Sequence, residues 1–253
     1  MTDKIIFKTK RNVGTIILNA PEKLNAFDIE MIKNLDMILD TILSSNLKVI
    51  IIKGNGTSFC SGGNIEWEEK LTRINSRNAK KEMRYVQRVF SKIEKLPQIF
   101  IALIHGYAIG GGNELAMTCD IRIALPSAIF AHPETSLSTV APLGGTKRLP
   151  RLIGLGKAKY LLFTGNKIDS QTALLWGLID FVVSEKEIYQ FLETLISQIE
   201  SKDKNSLALT KESVNSNYLS DFRDEFELNA YVKCSRREEN KQSLRKFLEK
   251  RKK

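Results

Sequence analysis

Two glycine-rich segments and two glutamates are the residues of this chain whose types and spacing can do chemistry together. The first segment, Phe59-Cys60-Ser61-Gly62-Gly63-Asn64, follows an apolar run by a few residues. Its small side chains let the backbone approach a ligand closely and let turned amides point at an oxygen. Taken by itself it reads first as a plain glycine turn. The second segment leads from His105 through Gly110-Gly111-Gly112-Asn113-Glu114 into an apolar helical stretch. A helix N-terminus presents free N–H groups and the positive end of the dipole, so this is a second source of anion-stabilising amides. Two such donors aimed at one carbonyl oxygen make an oxyanion hole.

Glu114 falls in the first turn of that helix, and Glu134, in Phe130-Ala131-His132-Pro133-Glu134, follows a short strand and a proline. A carboxylate pair placed across a substrate can activate one water and deliver one proton. Singly, each has an ordinary reading: Glu114 as a favourable helix-dipole charge and Glu134 as a surface acid.

The elements that must position these residues alternate. Ile5 to Lys8 and Val13 to Leu18 read as a hairpin, with turn chemistry at Arg11-Asn12 and Gly14. Asp28 to Leu43 carries Ile29, Ile32, Leu35, Leu39 and Leu43 at helical spacing. Val49 to Ile52 and Ile99 to Ile104 read as buried strands, a second long helix spans about Asn78 to Ile93, and Asp120 to Ala124 and Ala128 to Phe130 add short strands. This is an α/β pattern with buried strands. From Ser184 onward only helical patterns follow, in Glu185 to Ile199, Leu207 to Val214, Asp221 to Val232 and Glu238 to Arg251. Their amphipathic faces need a surface to pack on, either the α/β core or another subunit. The expected division is residues 1–184 as core and 185–253 as a helical region.

Chain-wide properties bound the function. The 253 residues suffice for one large domain with a sizeable core. The formal charge of +10 suits an anionic partner, whether nucleic acid, a membrane surface or a phosphate-rich ligand, and does not choose among them. Neither an RNA-recognition module nor a block of interleaved aromatic and basic residues is found, so no nucleic-acid partner is expected. No signal-length apolar run opens the chain and no stretch is long enough to span a bilayer; a soluble cytoplasmic protein without a membrane partner is expected. Cys60, Cys119 and Cys234 are read as reduced thiols, not as metal ligands. The glycine clusters lack the lysine of a phosphate loop and the third glycine of a dinucleotide fingerprint, which leaves nucleotide hydrolysis and hydride transfer without support.

GYAIGGGNELAMTCD, FAHPE, GGTKRLPRLIG and LLFTGNKIDSQTALLWGLID, in that order, resemble the enoyl-CoA hydratase/isomerase (crotonase) superfamily, from PEKLNAF near the start to FLEKRK near the end. The resemblance implies a crotonase-like spiral of ββα turns with a helical C-terminal trimerisation region, giving a homotrimer or hexamer. It puts the oxyanion-hole amides on Gly63 and Gly111. Because the hydratases of that family carry both glutamates, it implies reversible syn addition of water to a 2-enoyl-CoA, Glu114 activating the water and Glu134 giving a proton to the α-carbon. Coenzyme A, as part of the substrate and with no separate cofactor or metal, would lie along Lys23, Leu24 and Ala26 and along Ser61, Gly62, Asn64 and Ile65. Trp67 would face the acyl chain, the segment from Glu66 to Lys81 would set pocket depth, and Lys250 would reach the nucleotide phosphates of a neighbouring subunit. His105 and His132 have no assigned role and are read as packing or turn contacts; Trp176 is read as core.

Two positions depart from the family pattern. Asn64 replaces an aspartate, which matters little where the backbone does the work. Pro142 stands where hydratases keep a glycine whose N–H helps hold the attacking water, and proline has no N–H to give. That substitution keeps open another crotonase reaction on an acyl-CoA or acyl-carrier thioester: isomerisation, decarboxylation, dehydration or hydrolysis.

Overall fold

The computed structural model describes residues 4–216, 228–229 and 231–250. Within them two sheets alternate along the chain. Strands β1 (Ile5–Lys10), β2 (Val13–Leu18), β3 (Val49–Gly54), β4 (Ile99–Ile104), β6 (Ile121–Ala124) and β9 (Phe181–Val182) form a six-stranded sheet in that spatial order. Only β1 with β2 is antiparallel there, the expected hairpin. A smaller sheet holds β5 (Tyr107–Ile109), β7 (Ile129–Ala131) and β8 (Ile168–Asp169).

Consecutive strands step from the large sheet to the small one, β4 to β5 and β6 to β7, and a helix returns the chain. Isolated bridges continue this outward: Cys60 pairs with Ala108 and Phe27 with Gly63, both in parallel. Each winding thus contributes a large-sheet strand, a small-sheet segment and a helix, which is a spiral of ββα turns.

The local causes are legible. Asp28 caps α1 (Ile29–Leu43) by accepting the Met31 N–H at 2.9 Å, satisfying an otherwise orphaned donor. The helix then buries Met31, Ile32, Leu35, Leu39 and Ile42 at 3.6-residue spacing. Truncating fully buried Leu39 to Ala would cost about 2–5 kcal/mol. Asn75 caps α3 (Ser76–Lys95) in the same way, so this helix begins two residues earlier than Asn78. The Glu66 to Lys81 segment holds all but the first residue of α2 (Ile65–Arg73) and the first six residues of α3.

Beyond α4 (Gly111–Ala116), the GGTKRLPRLIG motif opens α5 (Gly145–Thr164), which is interrupted at Gly154 (φ 79°, ψ 159°). The helix α6 (Ser170–Trp176) follows. Trp176 is half-buried at the edge of the core, its ring edge-on to Tyr160 and under Lys157 Nζ, a correction to the expected core position. It is the last residue of α6, one turn after buried Ala173, and only part of its ring packs against the core.

After β9 come α7 (Ile188–Glu200), α8 (Lys204–Ser216), a helical stretch at 231–235, and a last helix, Glu238–Lys250. Lys211 of α8 fastens this region to the core: buried Nζ donates to the Ile93 and Gln98 carbonyls and to Asp120 Oδ2 at 2.8–3.1 Å. Most of the expected helix from Asp221 to Val232, the Lys250 side chain and residues 251–253 lie outside the described residues. No helix among the described residues is long and apolar enough to cross a membrane.

Candidate active site

The two glycine-rich segments come together because each has no side chain where the other passes. A Cβ on Gly112 would stand 2.2 Å from the Cys60 carbonyl oxygen, and one on Gly62 would stand 2.8 Å from the Ile109 carbonyl oxygen. Cys60 N–H donates to Tyr107 O and Ile109 N–H to Cys60 O, locking the loops side by side. Gly62, at φ +97°, then turns the chain so that its carbonyl accepts from Phe27 N–H, while Asn64 N–H donates to Phe27 O. In such a parallel bridge the central residue's own N–H points away from the partner strand. Gly63 is that residue, and neither its N–H nor that of Gly111 meets an acceptor among the described residues. Two unsatisfied donors from adjoining loops meet the geometric demand of an oxyanion hole.

A small cavity of about 60 Å³ opens beside them, lined by Gly63 and Gly111 and by Glu114 and Glu134. Glu114 is fully buried on α4, and its Oε1 accepts the Leu143 N–H at 2.8 Å and the Gly145 N–H at 2.6 Å. The GGTKR motif supplies that grip. Gly144 sits at φ +106°, where a Cβ would stand 1.7 Å from Arg148 Nη1. Arg148 in turn donates to Leu143 O at 2.8 Å and makes a two-pronged pair with Glu94 at 2.8 and 2.5 Å. Pro142 lines the cavity without an N–H, its carbonyl held by Gln87 Nε2. The loop after Pro142 is therefore in place and is spent on holding Glu114.

Glu134 opens a short 3-10 turn behind Pro133. Fully buried His132 joins it to Asn113: Asn113 Nδ2 lies 3.1 Å from Nε2, and Nδ1 lies 3.3 Å from Glu134 Oε1. Because an amide nitrogen only donates, Nε2 is the accepting nitrogen and Nδ1–H points at the carboxylate. His132 thus does more than pack. His105 makes the expected turn contact, Nε2 to Gly56 O at 3.0 Å. Glu134 Oε2 is buried with no hydrogen-bond partner among the described residues.

Ser61, Gly62 and Trp67 also line the cavity. Trp67 is buried against Phe27 at 6.1 Å between ring centroids and donates Nε1–H to Glu82. Lys23, Leu24, Ala26, Asn64 and Ile65 do not line it. Ser61 links to the first two, its N–H donating to Leu24 O at 3.0 Å and its hydroxyl to Lys23 O at 3.3 Å, while Ala26 N–H closes a turn onto Lys23 O. Asn64 caps α2 by accepting from Glu66 N–H and Trp67 N–H, a task Asn and Asp do equally well, which accounts for the departure at this position. Ile65 is the first residue of α2.

Sequence reasoning missed Glu68. It lines the same cavity from α2, and burial first, the Glu134 carboxylate second, push its carboxyl up to about 7. The buried thiols of Cys60 and Cys119 are pushed up to about 12, chiefly by burial, which makes them packing groups and poor nucleophiles.

Residues 8–253 match the enoyl-CoA hydratase/isomerase family. This chain belongs to that family. It is 33% identical to the short-chain-enoyl-CoA hydratase of Clostridium acetobutylicum, over 99% of this chain and 96% of that protein. It is equally 33% identical to the crotonyl-CoA hydratase of Syntrophomonas wolfei, with 99% and 96% covered. The crystal structure of an enoyl-CoA hydratase from Bacillus halodurans superposes with a TM-score of 0.90 at 25% identity, covering 96% of this chain and all of that one. The expected crotonase-like α/β spiral with C-terminal helices is therefore the fold of this protein, and its chemistry is that of the crotonase superfamily: a lyase-type enzyme acting on acyl-CoA thioesters.

Proposed function

We propose that this enzyme is a two-glutamate enoyl-CoA hydratase, adding water reversibly and syn across the double bond of a 2-enoyl-CoA. The observation that carries the reading is that Glu114, Glu134, Gly63 and Gly111 line one cavity. The thioester oxygen accepts from the Gly63 and Gly111 amides as it becomes an enolate, each donor lowering the barrier by about 3 kcal/mol. Glu114, its carboxylate fixed by Leu143 and Gly145, orients and deprotonates the water. Glu134, oriented by His132, protonates the α-carbon. In reverse the same groups dehydrate a 3-hydroxyacyl-CoA. Coenzyme A runs along Lys23, Leu24, Ala26 and the loop from Ser61 to Ile65. Appearance of 3-hydroxybutyryl-CoA from crotonyl-CoA, identified as product, tests the reaction.

Pro142 favours a second reading. With no amide at that position the water has one donor fewer, so another crotonase reaction on an acyl-CoA or acyl-carrier thioester is the alternative, and product analysis on a thioester panel separates the two.

The helical region 185–253 serves assembly into a homotrimer or hexamer. Association itself is supported by Tyr189 of α7 together with Leu155, Phe163 and Leu175 of the core, which are 67–81% exposed in the single chain, large apolar side chains that assembly would cover.

A further inference from the structure

The hydration chemistry leaves several polar groups of the cavity unused. Glu68 Oε1 lies 2.1 Å from the point a Cβ on Gly63 would occupy, so in this rotamer the carboxyl rests directly on the bare backbone of residue 63. It has no hydrogen-bond partner among the described residues. Thr139 lines the same cavity, 93% buried, and its Oγ1 is also without a partner among the described residues. Most of the remaining wall is apolar, with Phe27, Met83 and Leu143 among its residues. A plain alkyl chain filling this space strips water from both polar groups and returns nothing.

We propose that Glu68 and Thr139 form a polar acyl subsite, which selects acyl-CoA substrates carrying an uncharged oxygen function, a hydroxyl or a ketone, on the chain close to the thioester. This rests on the reading that the thioester oxygen sits at Gly63 and Gly111. The closeness follows from Glu68 packing on Gly63 itself. The absence of charge follows from the lining: it holds Glu68, Glu114 and Glu134 and, among the described residues, no Lys or Arg to pair a substrate carboxylate. With its carboxyl pushed up to about 7, Glu68 keeps a proton to donate near neutrality. Tyr231, which also lines the cavity, is held well above its usual range by burial and then by Glu68.

The test is calorimetric binding of saturated, unreactive thioesters to the whole protein, comparing 4-oxopentanoyl-CoA with its shape-matched analogue 4-methylpentanoyl-CoA. The wild type is expected to bind the ketone roughly tenfold more tightly, the worth of one well-formed hydrogen bond. Glu68→Met and, independently, the isosteric Thr139→Val should each shrink that ratio, while affinity for free coenzyme A, which does not reach the subsite, stays unchanged and certifies the fold. Equal affinities in the wild type, or a ratio that survives Glu68→Met or, should that variant not fold, Thr139→Val, overturn the proposal. Turnover of crotonyl-CoA reports on the hydratase reading separately, so either can fail without the other.

Discussion

Leu143 donates its N–H to Glu114 Oε1 at 2.8 Å, so the residue directly after Pro142 is the one that fixes the carboxylate assigned to water activation. With Gly145 as the second donor, the loop has been committed to orienting the base. Glu114→Gln should therefore keep the fold and substrate affinity while lowering kcat about 10²–10⁴-fold, the usual worth of a positioned acid or base. Steady-state kinetics check this; an unchanged kcat would remove Glu114 from the mechanism.

Gly63 and Glu68 should behave as a coupled pair. Gly63→Ala drives a Cβ into Glu68 Oε1. The single variant should lose activity and thermal stability, and adding Glu68→Ala should recover part of both, with a coupling of about 0.5–3 kcal/mol in a double-mutant cycle. Strict additivity of the two changes would show that they do not meet.

Glu68 also makes stability depend on pH in a defined direction. Its carboxyl is raised from the 4.5 of an exposed glutamate to about 7, so the folded state binds the proton more tightly than the unfolded state. The resulting contribution is fully present below about 4.5 and is lost as pH rises towards 7. The charged and titratable groups that face it are the Glu134 carboxylate and the Tyr231 phenol, and Tyr231 in turn faces Glu82 and Arg236. Denaturant unfolding at pH 5 and pH 8 should show Glu68→Gln losing less stability than the wild type over that interval. Identical pH dependence in both would place the Glu68 carboxyl in water.

How much of this was legible beforehand follows from what each residue's role depends on. Gly63, Gly111, Glu114 and Glu134 sit in loops and helix starts whose glycines are demanded by close backbone approach, and close approach leaves a mark in the sequence. Glu68 leaves none of that kind. It is one of several acids in Ile65–Arg73, and only its position three residues before buried Leu71 hints that it borders the buried face. Its place in the cavity is a tertiary fact, set where α2 brings the carboxyl over the Gly63 backbone. Likewise β5, β8 and β9 are two or three residues long, too short for periodicity to register, whereas β3, β4 and α1 carry their burial in uninterrupted or 3.6-spaced apolar residues. His132 reads as packing in sequence because its link to Asn113 spans 19 residues that only the fold closes.

Assembly gives a further check. Light scattering at micromolar concentration should report a trimer or hexamer that buries Leu155, Phe163, Leu175 and Tyr189. A monomer would contradict the role given to the helical region.

The most direct test of the account is the disappearance of the conjugated enoyl-thioester absorbance of crotonyl-CoA, followed with wild type and Glu134→Gln side by side. The account predicts water-dependent loss of absorbance in the wild type and its near-abolition, by about 10²-fold or more, in the variant. Equal rates in the two proteins, or no reaction of the wild type with crotonyl-CoA or a longer enoyl-CoA, would contradict it.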